Sequence, residues 1–290
     1  MSAAPAPLLP GLLVAQSEFF LTNCGALLSD GAALLIDPCM RPAEIDALAA
    51  AVAAQGAAPA YVLLTHSHWD HILGPERLPG VPVLAQARYP VCVAQGSAAL
   101  RRELGDWETR TGRQRATPFA PPAADVLVTD DHTLHLGARE LRLLHVPGHA
   151  ADQLAVYDPA AGVLWASDIL SDVEIPFVAD NLSAYERTLA RLSALDLRGL
   201  VPGHGHPTTD PANIQTRLSE DRAYLGELSQ RVVRAVRQGL SAEATVEVCA
   251  SIPYRHPEQN AGPHRLNVES AYLELGGEGD RRALGWSQYE

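Results

Sequence analysis

Residues 60–71, Ala-Tyr-Val-Leu-Leu-Thr-His-Ser-His-Trp-Asp-His, decide how this chain is read. The stretch opens as a short, fully apolar strand and closes on four imidazole or carboxylate side chains within six positions: His66, His68, Asp70 and His71. A turn at a strand end points neighbouring side chains into a common space, where borderline divalent cations accept imidazole and carboxylate together. The competing reading is a polar surface turn with incidental histidines. Clustering this dense, directly after an apolar strand, argues against it.

Outward from it, residues 19–39 alternate apolar runs with turn residues and read as a β-meander ending at Asp37-Pro38. Residues 42–55 begin with Pro and acidic residues, carry helical spacing and meet a stop at Gly56. VPVLAQ (81–86) reads as another strand. Residues 97–124 are rich in Arg, Gly, Pro and Thr, lack clear periodicity and are expected to form an insertion or lid, with a short helix around Trp107. Strand patterns resume at TLHL, ELRLLHVPGH, LAVYD and GVLWASD. A helix over 183–197 then precedes another strand ending in a polar cluster, GLVPGHGHP. From residue 210 onward the patterns are helical. Two runs of strands, each followed by helices, predict two packed sheets with helices outside: a core over 1–209 and a carboxy-terminal helical region over 210–290.

The THSHWDH stretch resembles the H-x-H-x-D-H signature of the metallo-β-lactamase superfamily. That resemblance implies three later features in a fixed order, and they follow as Pro147-Gly148-His149, Ala166-Ser167-Asp168 and Pro202-Gly203-His204. The likeness extends over residues 12–206, including the opening TNCGALLSDGAALLIDP. It implies an α/β fold, the four-layer αββα sandwich. It also implies two divalent metal ions, with zinc expected first and iron or manganese as alternatives. His66, His68 and His149 would hold one ion, Asp70, His71 and His204 the other, and Asp168 would bridge them. A metal pair lowers the pKa of a bridging water enough to supply hydroxide near neutral pH, with Asp70 orienting it or passing its proton to the leaving group.

An aspartate at the bridging position is shared by glyoxalase II-like thioesterases and lactonases, and true β-lactamases usually lack it. Hydrolysis of a small ester, thioester or lactone is therefore the expected reaction. The alternatives are a one-iron persulfide dioxygenase and a small-molecule phosphodiesterase. PGHAADQ lacks the Thr-x-Gly-Ser continuation of glyoxalase II-like proteins, which separates this chain from that enzyme's usual pattern. Trp69, the Ile175-Pro176-Phe177 loop and the 97–124 insertion are candidate substrate-pocket walls. His145 precedes the PGH turn and either supports a ligand or fills the core. The PGHG pattern selects His204 over His206.

Composition bounds the partners. The 290 residues carry a formal charge of −12, which works against attraction to phosphate backbones, so no nucleic-acid partner is expected. Arg101, Arg102, Arg110, Arg113 and Arg115 form one basic stretch that reads first as a solvated polar face and otherwise as an attractor of anions. No secretory leader and no apolar run of membrane-spanning length is visible, so no membrane partner and a cytoplasmic location are expected. Cys24, Cys39, Cys92 and Cys249 lie far apart without a C-x-x-C pair and are expected to be reduced and mostly buried, with Cys39 able to approach a site. A small-molecule substrate is the expected partner, and the spacing leaves monomer and homodimer open.

Overall fold

The computed structural model describes residues 3–113 and 118–279. Its first sheet runs in sequence order: β1 (Ala3–Leu9), β2 (Leu12–Gln16), β3 (Asn23–Ser29), β4 (Ala32–Ile36), β5 (Ala58–Leu63), β6 (Val83–Gln86) and β7 (Val126–Val128). The first four strands pair antiparallel, and β4 through β7 pair parallel. Helices α1 (Pro42–Ala54) and α2 (Tyr89–Thr111) provide parallel crossovers. The second sheet has the order β12-β11-β10-β9-β8, formed by β8 (His132–Leu136), β9 (Arg139–His145), β10 (Leu154–Asp158), β11 (Val163–Ser167) and β12 (Gly199–Pro202). Between β11 and β12 lies α3 (Leu182–Leu192), and the chain continues into α4 (Pro211–Arg237), α5 (Ala242–Cys249) and α6 (Pro257–Glu274).

Side-chain alternation explains the layering. In β4, Leu34 and Ile36 join the core between the sheets, while Ala33 and Leu35 join the core under α1 and α2. Both faces are buried, so the strand is apolar throughout. The inter-sheet core is completed by Leu141, Leu143, Val156 and Trp165 of the second sheet. On that sheet's other face, Leu164 and Leu200 pack with Leu189 of α3, Leu218 and Leu225 of α4 and Val268 of α6. Helix, sheet, sheet and helix follow one another as expected, and the carboxy-terminal helices share their core with the second sheet.

Two expectations need correction. Residues 97–111 are not irregular: they belong to the 23-residue helix α2, which buries Leu100, Leu104 and Trp107 at helical spacing and ends at Gly112 in the left-handed conformation (φ 66°). The arginines and glycines that hid the period occupy its other faces. Of the expected lid, residues 114–117, including Arg115, lie outside the described residues, as do residues 280–290 at the chain end. The second correction concerns the cysteines, since Cys24 and Cys39 form a disulfide with Cα atoms 5.2 Å apart. The β3–β4 hairpin folds the chain back between them, bringing together residues 15 apart in sequence. Cys92 and Cys249 are free thiols.

Candidate metal centre

Four strand ends build the centre. His66, His68, Asp70 and His71 follow β5, His149 follows β9, Asp168 follows β11 and His204 follows β12. Local backbone features bring the side chains inward. Ser167, not a glycine, adopts φ 56°, an uncommon conformation that turns the chain just before Asp168. Gly203 leaves the space that Asp168 fills, because a Cβ there would lie 1.9 Å from Asp168 Oδ1. Asn23, fully buried at the start of β3, donates to the carbonyls of Pro202 (2.9 Å) and Gly205 (2.8 Å) and holds the His204 loop.

The seven side chains proposed from sequence converge. Donor atoms of His66, His68, His149 and Asp168 lie within 4.8 Å of one another, as do those of Asp70, His71 and His204. Asp168 faces both groups. Its Oδ1 is 3.3 Å from His71 Nε2, while its Oδ2 is 3.5 Å from His66 Nε2, 3.3 Å from His149 Nε2 and 3.4 Å from His204 Nε2. Asp70 Oδ2 stands 3.4 Å from His71 Nε2 and 3.3 Å from His204 Nε2. Most of these separations are too long for good hydrogen bonds, and His66 Nε2 and Asp168 Oδ1 are buried without a hydrogen-bond partner. Orphaned ligand atoms converging on shared space fit a pair of divalent cations.

The opposite ring nitrogens are held by a shell that the sequence reading did not single out. His71 Nδ1 bonds Asp37 Oδ2 at 2.9 Å, and Thr65 donates to the same carboxylate through N–H (2.8 Å) and Oγ1 (2.6 Å). His66 Nδ1 faces Thr65 Oγ1 (3.1 Å) and Ser167 Oγ (3.3 Å). His149 Nδ1 meets the Phe177 carbonyl and His204 Nδ1 the Phe20 carbonyl, each at 3.0 Å. Such partners fix ring orientation and tautomer. The signal for Asp37 was its place at a strand end before Pro38, the same position type that marked the ligands.

Charges in the metal-free protein are already sorted. Burial pushes His66 well down and His68 down to about 4, assisted by the neighbouring His71 and His149 respectively, so both rings are neutral at pH 7. Burial alone would raise Asp70 and Asp168. His71 and His204 outweigh it and hold both carboxyls well below the usual range. His71 and His204 are raised in turn, against burial, chiefly by Asp168 for the first and by Glu174 and Asp168 for the second. An arriving cation would therefore displace protons from those two rings.

A cavity of about 460 Å³ opens onto the centre. Trp69 and the Ile175-Pro176-Phe177 loop line it, whereas no described residue of 97–124 does: Trp69, only 3 % exposed, packs its ring 5.3 Å from Trp107, and Phe177 lies 6.0 Å from the His149 ring. Leu170, Val173, Ile175 and Pro263 extend the apolar wall. His145 does not reach the ligands; its Nε2 bonds the Ala151 carbonyl at 3.0 Å. His206 is bound to Asp172 at 2.9 Å, outside the cluster. Arg113 is turned to Glu76 and the Met40 carbonyl and is not among the residues lining the cavity.

Comparisons with known proteins agree with this geometry. The sequence model of the metallo-beta-lactamase superfamily matches residues 18–219. A hydroxyacylglutathione hydrolase of Jannaschia sp. (strain CCS1) is 30 % identical over 247 residues, 82 % of this chain and 87 % of the relative. An acyl-coenzyme A thioesterase of Gallus gallus is 30 % identical over 169 residues, 51 % of this chain and 57 % of the relative, so the chain spans little more than half of that protein. In fold, it superposes on a metallo-beta-lactamase family protein of Thermus thermophilus with TM-score 0.66 and 23 % identity, covering 92 % of this chain and 93 % of that one. No helix among the described residues is long and apolar enough to cross a membrane. A family match over more than half the chain, together with the fold and the converging histidines, places this protein in the metallo-beta-lactamase superfamily.

Proposed function

We propose that this chain hydrolyses small thioesters with two divalent cations held by His66, His68 and His149 on one side, Asp70, His71 and His204 on the other, and Asp168 between them. The observation that carries the reading is the double-faced Asp168, whose two oxygens address both ligand groups. A bound cation pair supplies a water ionised near neutral pH and polarises the carbonyl under attack. With histidine and carboxylate donors, zinc is the first choice, ahead of iron or manganese.

The chain's own residues do the rest. Asp70, ionised and lining the cavity, is placed to accept the proton of the attacking water. A thiolate leaving group needs little protonation, so the returning proton is not demanding. The cavity volume suits a small molecule, and its apolar wall suits an acyl chain. The thioester reading draws support from two relatives, one named an acyl-coenzyme A thioesterase and the other a hydrolase of an acylated glutathione, itself a thioester.

The test follows thiol release from short acyl thioesters by metal-stripped and metal-reconstituted protein, with oxygen uptake recorded in parallel. Release restored by metal without oxygen consumption is the expected result. Release indifferent to metal, or one iron per chain with oxygen uptake, would overturn the proposal.

A further inference from the structure

Glu174 lines the same cavity as Asp70, His149, Asp168 and His204, yet the proposed hydrolysis assigns it no work. Its backbone is fastened, with its N–H donating to Ser171 Oγ at 3.1 Å and its carbonyl accepting from Arg255 at 3.2 Å. Beyond it, Asn260 and Asn267 of α6 accept from the N–H groups of Ile175 (3.5 Å) and Val178 (2.7 Å). The segment is therefore positioned by α6. The carboxyl itself has no hydrogen-bond or ion-pair partner among the described residues, although it feels the charges of His204, Asp168, His149 and Asp70 across the cavity. No arginine lines the cavity among the described residues, and all 22 basic residues of the chain are arginine.

A carboxyl in this position loses water when a substrate enters and is compensated only if the substrate brings a donor. A site built around such a group rejects molecules that leave it unpaired more strongly than an apolar pocket rejects a missing methylene. A second negative charge would meet Glu174, and the arginine beside this segment, Arg255, is already paired with Glu220 and Asp221. We propose that Glu174 sets the substrate preference of the cavity, accepting a hydrogen bond from a hydroxyl or ammonium group on the acyl part of the thioester. Acyl groups ending in a bare methyl or a carboxylate are disfavoured. The inference rests on the hydrolase reading for the orientation of the acyl group.

The test uses full-length, metal-reconstituted protein and four acyl groups of equal short length, ending in methyl, hydroxyl, ammonium or carboxylate. Each is supplied as the N-acetylcysteamine thioester for turnover and as the free acid for calorimetric binding. The wild type should favour the hydroxyl and ammonium forms over the methyl form by about tenfold, with the carboxylate form weakest. In turnover this preference should appear in KM more than in kcat. Glu174→Gln, which keeps an accepting oxygen but no charge, should abolish the ammonium preference and retain part of the hydroxyl preference. Glu174→Leu should abolish both. If both variants keep the wild-type ranking in binding and turnover, or lose kcat equally for all four groups, the proposal is overturned. If no thioester is cleaved but the ranking of the free acids collapses in the variants, the hydrolase reading fails and the assignment of Glu174 stands.

Discussion

Asp37 accepts from the N–H and hydroxyl of Thr65 and from Nδ1 of His71, so one buried carboxylate fixes both the start of the THSHWDH turn and the ring that closes the second ligand group. Replacing Asp37 with Asn keeps the volume and removes the charge behind His71. Metal affinity should fall about 10–100-fold, read by competition with a chromophoric chelator, and an unchanged affinity would refute the supporting role. The raised pKa values of His71 and His204 define a pH effect. Their protons compete with the cation, so affinity should rise with pH until both rings are deprotonated. In the metal-free protein, their contribution to stability is complete below the ordinary value of 6.5 and is lost as pH climbs through the raised folded values. The Tm gap between metal-loaded and metal-free protein should therefore widen above that value, and a constant gap would contradict the charge assignment. The seven converging side chains were legible in the sequence because they arrive in clusters at strand ends in a fixed order. Thr65 and Ser167 were not, because single polar residues carry no spacing signal and acquire a role only when the strands are paired, and Asp37 offered only its place at a strand end.

Among the elements, the loop after β12 offers the sharpest test, since Gly203 is required for room and not for a left-handed backbone. Gly203→Ala should displace Asp168 and lower the metal content while the far-ultraviolet circular dichroism stays close to wild type. Full metal content would show that the Asp168 position does not depend on that space. The Cys24–Cys39 bridge ties β3 to the loop that carries Asp37. Replacing both cysteines with Ser should cost about 3 kcal/mol of stability for a loop of this length, measured by urea unfolding under non-reducing conditions. Thiol counting on denatured, unreduced protein should find Cys92 and Cys249 alone; four reactive thiols would contradict the bridge. Strand ends and β-meanders were readable from alternation and turn residues. Of helix α2 only the short piece around Trp107 was, because its exposed face carries the arginines and glycines that resemble a loop, and the bridge was not, because pairing depends on a hairpin register that spacing does not display.

For the whole molecule, the carboxy-terminal helices complete, together with α3, the cover over the outer face of the second sheet. Ile214, Leu218, Leu225, Leu228, Val232 and Val268 are buried against it, and each contributes about 1.5–3 kcal/mol of burial, together a match for the whole stability of an ordinary domain. A chain ending at residue 209 should therefore fail to fold cooperatively, and a sharp thermal transition in that fragment would show the helices to be dispensable. Their helical pattern was evident in the sequence, whereas their second task, setting the 171–178 segment through Asn260 and Asn267, appears only when α6 is seen against the cavity. The central claim is that one carboxylate joins two cation positions, and the most direct measurement is the number of zinc ions taken up per chain by stripped protein. Two are expected for the wild type and fewer for Asp168→Ala; saturation of the wild type at one or none, or an undiminished two in the variant, would contradict the position given to Asp168.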